Sequence, residues 1–101
     1  MKMITKKFFK TKDECEVTFE YANEDAAEVA LVGDFNEWQP VAMKQAKKAG
    51  SPFRIKARMP KNGEYQFRYY VDGAHWANDD GADAYWPNEF GADNSVVNTY
   101  E

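Results

Sequence analysis

Five carboxylates crowd one stretch of the chain: Asp79, Asp80, Asp83, Glu89 and Asp93. Two carboxylates flanking a sugar are the equipment of glycoside hydrolysis. That chemistry also needs a deep cleft and one carboxyl group held protonated by its surroundings. A chain of 101 residues folded as one small β domain has little volume for such a cleft. Acids in an Asp/Gly-rich loop form turns and meet water, and these are read that way, so no catalytic residue is assigned. Asn78-Asp79-Asp80-Gly81 lacks the alternating ligands and closing Glu of a calcium loop. His75 is the sole histidine and Cys15 the sole cysteine. A zinc site, an intrachain disulfide and a Ser-His-Asp triad therefore all lack partners. With no Gly-rich phosphate loop either, neither metal nor cofactor is expected.

The remaining candidates are aromatic: Trp38, Trp76 and Trp86, with Phe90, all placed in loops. A pyranose has an apolar C–H face that stacks on an indole and a hydroxyl rim that needs donors and acceptors. Arg68 can donate to two vicinal hydroxyls, and Asn94 can both donate and accept. The competing reading is that each tryptophan folds back to cap an end of the domain, since Trp is well buried on average. Two features favour display. Trp38 and Trp76 each follow a strand that ends in a Gly/Asp turn, and Arg68 falls on the outward phase of the strand leading to Trp76.

The elements that must hold these residues read as strands, and no segment has helical periodicity. In Glu14–Tyr21, Cys15, Val17, Phe19 and Tyr21 share one face, which makes Cys15 a buried thiol. In Phe53–Met59, Phe53, Ile55, Ala57 and Met59 alternate with Arg54, Lys56 and Arg58. Pro60-Lys61-Asn62-Gly63 supplies a hairpin turn. In Glu64–Val71, Tyr65, Phe67, Tyr69 and Val71 face inward and Gln66, Arg68 and Tyr70 outward. Further strands are expected over Thr5–Lys10, Glu28–Val32 and Ser95–Tyr100, with a short one at Ala42–Lys44 anchored by Met43. Asp72-Gly73 turns the chain toward Ala74-His75-Trp76. Ala46–Pro52 reads as an exposed connection. Asn78–Asn94 reads as a long irregular stretch of the kind that often carries function. About seven short strands in one domain spanning the chain point to an all-β sandwich.

Charge narrows the partners. The net charge is −4, and no Lys or Arg follows Arg68 while seven acids do, which excludes a nucleic-acid groove in the aromatic half. The early lysines Lys2, Lys6, Lys7, Lys10 and Lys12 read as a solvated edge strand, since lysines blunt exposed sheet edges; contact with an anionic partner is the rival reading. Residues 2–12 hold no apolar run of signal-peptide length, and nothing resembles a membrane span. A cytoplasmic address without membrane contact is the resulting expectation.

Three motifs in order, VALVGDFNEW, GEYQFRYYVDGAHW and PNEFGADNSVV, resemble a family 48 carbohydrate-binding module. This is the isoamylase N-terminal or early-set domain found before glycoside hydrolase family 13 barrels. It is also similar to the glycogen-binding domain of the AMP-activated protein kinase β subunit. The resemblance runs from about Val29 to Val97. It implies an immunoglobulin-like β-sandwich and an α-1,4-glucan ligand such as glycogen, starch or a maltooligosaccharide. It also implies a binding site of Trp38, Arg68, Trp76, Phe90 and Asn94. Arg68 stands where the kinase domain has a lysine and Phe90 where it has a leucine. Ala92 replaces a threonine, and Trp86 receives no role. Catalysis in multidomain relatives belongs to a separate barrel, so no enzyme activity is implied here. Phe35 is expected to turn back into the core while Gly33 and Asn36 bend the chain, leaving Trp38 outside. The alternative function is an early-set docking or adaptor module. It would use the lysine-rich N-terminal strand or an exposed edge as its interface, with little or no glycan affinity of its own, or serve as an adaptor bringing a separate glycogen-metabolising enzyme to the polymer.

Overall fold

The structure is a computed structural model and describes residues 4–48 and 50–101. Among them ten strands build two antiparallel sheets facing each other across one core. They are β1 (Ile4–Phe8), β2 (Glu14–Tyr21), β3 (Val29–Gly33), β4 (Val41–Ala42), β5 (Lys44–Gln45), β6 (Phe53–Pro60), β7 (Glu64–Val71), β8 (His75–Ala77), β9 (Ala84–Pro87) and β10 (Asp93–Asn98). The first sheet runs β1-β2-β6-β5 and the second β4-β3-β7-β10-β9, with β8 also paired to β7. The all-β immunoglobulin-like sandwich is as the sequence implies.

Period-two alternation makes the core. Cys15, Val17 and Phe19 of β2 and Phe67 and Tyr69 of β7 are fully buried. The rings of Phe19 and Phe67 meet edge-on at 5.0 Å. Tyr65 is half-buried in the same phase and packs against this cluster. Such aromatic contacts add to the area they bury.

The strand count exceeds the expected seven for three local reasons, the first being that the segment after the Asp72-Gly73 turn forms β8 on the edge of β7. The expected strand at Ala42–Lys44 is two, because Val41–Ala42 pairs with β3 and Lys44–Gln45 with β6. Met43 lies between them, 6 % exposed, where the chain crosses from one sheet to the other. The stretch read as irregular contains β9, which pairs with β10 at Asn94↔Trp86 and Ser95↔Tyr85. A four-residue strand ending in Pro carries almost no periodic signal and is defined by its partner. Trp76 and Trp86 accordingly sit in β8 and β9, not in loops. Strand ends also move: β1 stops at Phe8, β3 runs to Gly33, and β10 spans Asp93–Asn98.

β1 is an edge strand, as the lysines suggest, but Lys6 is not simply solvated. Its Nζ bonds Asp83 Oδ2 at 2.7 Å and Asn98 Oδ1 at 3.2 Å, tying the two sheets together. An inward-aimed lysine is one way to blunt an edge. Lys7, Lys10 and Lys12 are exposed, Lys2 lies outside the described residues, and so does Ala49 within the otherwise open connection 46–52.

Candidate functional site

Five residues singled out by the sequence, Trp38, Arg68, Trp76, Phe90 and Asn94, line one open cleft of about 690 Å³ with Asn88 and Glu89. It lies over the outer face of the second sheet. That volume is in the range of small-molecule sites.

Trp38 is held by the turn after β3. Gly33 enters it in extended conformation, and a Cβ there would come 2.7 Å from the Gln66 carbonyl oxygen and 2.8 Å from the Phe35 ring. Only glycine lets strand and ring approach so closely. A short 3-10 turn, Asp34–Asn36, follows. Asn36 closes it: its Oδ1 accepts from Gly33 N and its Nδ2 donates to Leu31 O. Phe35 folds inward, with its ring 5.4 Å from Phe19. Glu37 and Trp38 both take left-handed backbone, each with φ 59°. That conformation costs roughly 1–2 kcal/mol per non-glycine residue. It turns the indole outward, where it is 37 % exposed. Asp34 then latches it: Oδ1 accepts from Trp38 Nε1 at 2.8 Å and Oδ2 from Gln66 N at 2.7 Å.

Arg68 and Trp76 come from neighbouring strands. One edge of β7 is shared, with Glu64–Phe67 paired to β10 and Tyr69–Val71 to β8. Arg68 lies at the junction, on the outward phase. Its guanidinium carbon stands 5.4 Å from the Trp76 ring centroid, within cation–π range. The Tyr70 ring tilts against the same indole at 4.5 Å. Tyr70 is fixed by donating its hydroxyl to Gly73 O in the Asp72-Gly73 turn. Trp76 is 47 % exposed, so these neighbours leave much of it open. Arg68 Nε is buried and has no hydrogen-bond partner among the described residues.

The β9–β10 hairpin tip forms the far wall. Asn88 Oδ1 accepts from Phe90 N and Ala92 N, and its Nδ2 donates to Asn94 Oδ1 at 3.1 Å. Gly91 takes φ 78°. Asn94 in turn donates to Gln66 Oε1. Phe90 crowns the tip at 84 % exposure. Asn88, Gln66 and Asp34 are supporting residues that the sequence reading did not single out. Pro87-Asn88 before Gly91 is a turn signature, because an Asn side chain caps the backbone two residues on.

The acids separate rather than cluster. Asp83 holds Lys6. Asp79, expected in solvent, is only 2 % exposed. It accepts from the Tyr69 hydroxyl at 2.6 Å and from Gly81 N at 2.7 Å. Burial lifts its carboxyl above the usual range, outweighing the lowering by these two donors. The Tyr69 phenol is pushed up by burial and by that same carboxylate. Beside it Asn78 laces β8 to β10, accepting from Ser95 N and donating to Asp93 O. These bonds tie β7 and β10 to the segment that follows β8. Among the described residues no group of three metal-ligating side chains converges.

The sequence profile of the family described as the glycogen recognition site of AMP-activated protein kinase matches residues 15–101. No curated protein sequence matches the chain. Among solved structures, the enterobactin esterase of Shigella flexneri superposes with a TM-score of 0.75 at 12 % identity, covering 98 % of this chain and 33 % of the esterase. The ferric enterobactin esterase of Salmonella typhimurium gives a TM-score of 0.74 at 12 % identity, covering 95 % of this chain and 34 % of that one. The chain thus spans about a third of each esterase, and at this identity the likeness is one of fold.

Proposed function

This chain belongs to the family of the glycogen recognition site of AMP-activated protein kinase, and from that premise we propose that it is a non-catalytic module binding α-1,4-glucan in the cleft over its second sheet. The observation that carries the reading is the convergence of Trp38, Arg68, Trp76, Phe90 and Asn94 on that one cleft. Trp38 and Trp76 stack on pyranose faces. Arg68 donates to vicinal hydroxyls from its terminal guanidinium nitrogens. The Asn94 amide completes the polar rim, and Phe90 packs against the chain from the hairpin tip. The esterase likeness adds the sandwich alone.

Covering about 100 Å² on each of two indoles yields about 5 kcal/mol. Hydrogen bonds add a little, and the lost freedom of association removes several kcal/mol. A Kd between about 10 μM and 1 mM for a maltooligosaccharide follows. On a branched polymer, many such sites gain by avidity.

In a native gel containing glycogen, the protein is expected to be retarded, and Trp38→Ala and Trp76→Ala to remove the retardation while their melting temperatures stay close to the parent's. Titration with maltoheptaose should change tryptophan fluorescence saturably, and Arg68→Ala should weaken it. If both tryptophan variants unfold, the indoles are structural and the reading falls. A silent titration with a co-purifying protein would favour the docking role.

A further inference from the structure

Trp86 is the one tryptophan outside the cleft lining, and its placement gives it a task. Three observations put its ring on the same outer face. It pairs across the strands with Asn94, a cleft residue, and such partners share a face. Its neighbour Tyr85 points the other way and donates its hydroxyl to Asp79 O. Trp86 is half-buried, yet it is absent from the side chains that pack on the core.

The register makes the position continuous with the cleft. Val32 lies opposite Arg68, and Ser95 opposite Phe67. One step further along that ladder sets Asn94 beside Arg68. Arg68, Asn94 and Trp86 therefore form one row across β7, β10 and β9. The row spans two strand spacings, about 10 Å, the length scale of a disaccharide. β9 is the sheet edge, and among the described residues no strand lies beyond Trp86. The next outer-face row is low: Gln66, Val96 and Ala84. Val96 in that row is 1 % exposed, although it stands outside the main core cluster. The Trp86 side chain is half-buried, so part of it stays open to solvent. Among the described residues the Trp86 indole N–H has no acceptor, whereas Trp38 Nε1 is locked to Asp34.

We propose that Trp86 is a further glucosyl-stacking subsite, reached by a glucan chain that leaves the cleft over Asn94. The module then prefers chains longer than the cleft itself holds. This rests on the glucan reading above, and chain length separates the two.

Binding of maltotriose and maltoheptaose is measured by calorimetry for the parent, Trp86→Ala and Trp86→Phe. Trp86→Ala is expected to weaken maltoheptaose about three- to tenfold, the factor aromatic stacking supplies, with maltotriose changed less than about twofold. Trp86→Phe should recover most of the loss. In the folded parent, the Trp86 indole N–H resonance should move with maltoheptaose and stay with maltotriose, a readout that survives an unstable alanine variant. An unmoved resonance, or equal losses for both sugars, overturns the subsite while the cleft reading stands. A parent that binds neither sugar overturns both.

Discussion

Trp38 occupies backbone that its residue type disfavours. Its φ of 59° is one a glycine adopts freely, so a non-glycine there carries a strain of order 1 kcal/mol. Strained residues persist where the surroundings fix them, and they gather at functional sites. Here the fixing groups are Asp34, which holds the indole N–H, and Gly33 O, which accepts from Trp38 N at 2.9 Å. Trp38→Gly relieves the strain and removes the ring at once. Its melting temperature should equal or exceed the parent's while glycogen retardation disappears. Thermal melts beside native gels check this, and a variant that melts well below the parent would make the indole a structural part. The residue scale was also the most legible in the sequence. Trp38, Arg68, Trp76, Phe90 and Asn94 were named from residue chemistry and motif order, and they line one cleft. Asp34 and Asn88 were missed because their role is geometric. Nothing in an Asp or Asn identity says whether it caps a turn in solvent or latches a neighbouring ring.

At the scale of the element, β7 is the strand from which the site is built, and its alternation was readable because one face is buried and the other is not. Short elements were not readable. β4 and β5 are two residues each, and β9 is four; their conformations follow from the strands they join. The loop between β8 and β9 departs from its expected solvation for a related reason. Asp79 looks like a solvated turn acid until β7 brings Tyr69 over it. That burial has a consequence for stability. The native carboxyl is raised above its ordinary value, so between the unfolded and native values the native state holds more protons. Stability then falls as pH climbs through that window, which opens near the ordinary Asp value of about 4 and closes at the raised native value. Asp79→Asn keeps an acceptor for the Tyr69 hydroxyl and abolishes the titration. Urea midpoints followed upward from about pH 4 should decline for the parent relative to this variant. Parallel curves would show that the carboxyl ionises in the fold without penalty.

The whole molecule separates its chemistry by face. The outer side of the first sheet carries Lys7, Lys44, Arg54, Lys56 and Arg58 among Glu14, Glu16 and Glu20. Arg54 pairs with Glu20 at 2.8 Å, and Arg58 lies 3.8 Å from Glu16. The aromatic cleft lies on the opposite outer side, with Arg68 and Glu89 as its charged lining residues. A neutral polysaccharide held there by stacking and hydrogen bonds offers no charge to screen. Affinity for maltoheptaose should therefore change less than about twofold between low salt and 1 M, where the Debye length shrinks to about 3 Å. Docking of an acidic partner on the lysine-bearing face would behave oppositely, because exposed charges attract through a field that salt removes. One titration series across ionic strength thus reports which face of the sandwich works. A glucan affinity that collapses with added salt would place the binding energy on the charged sheet, away from the indoles.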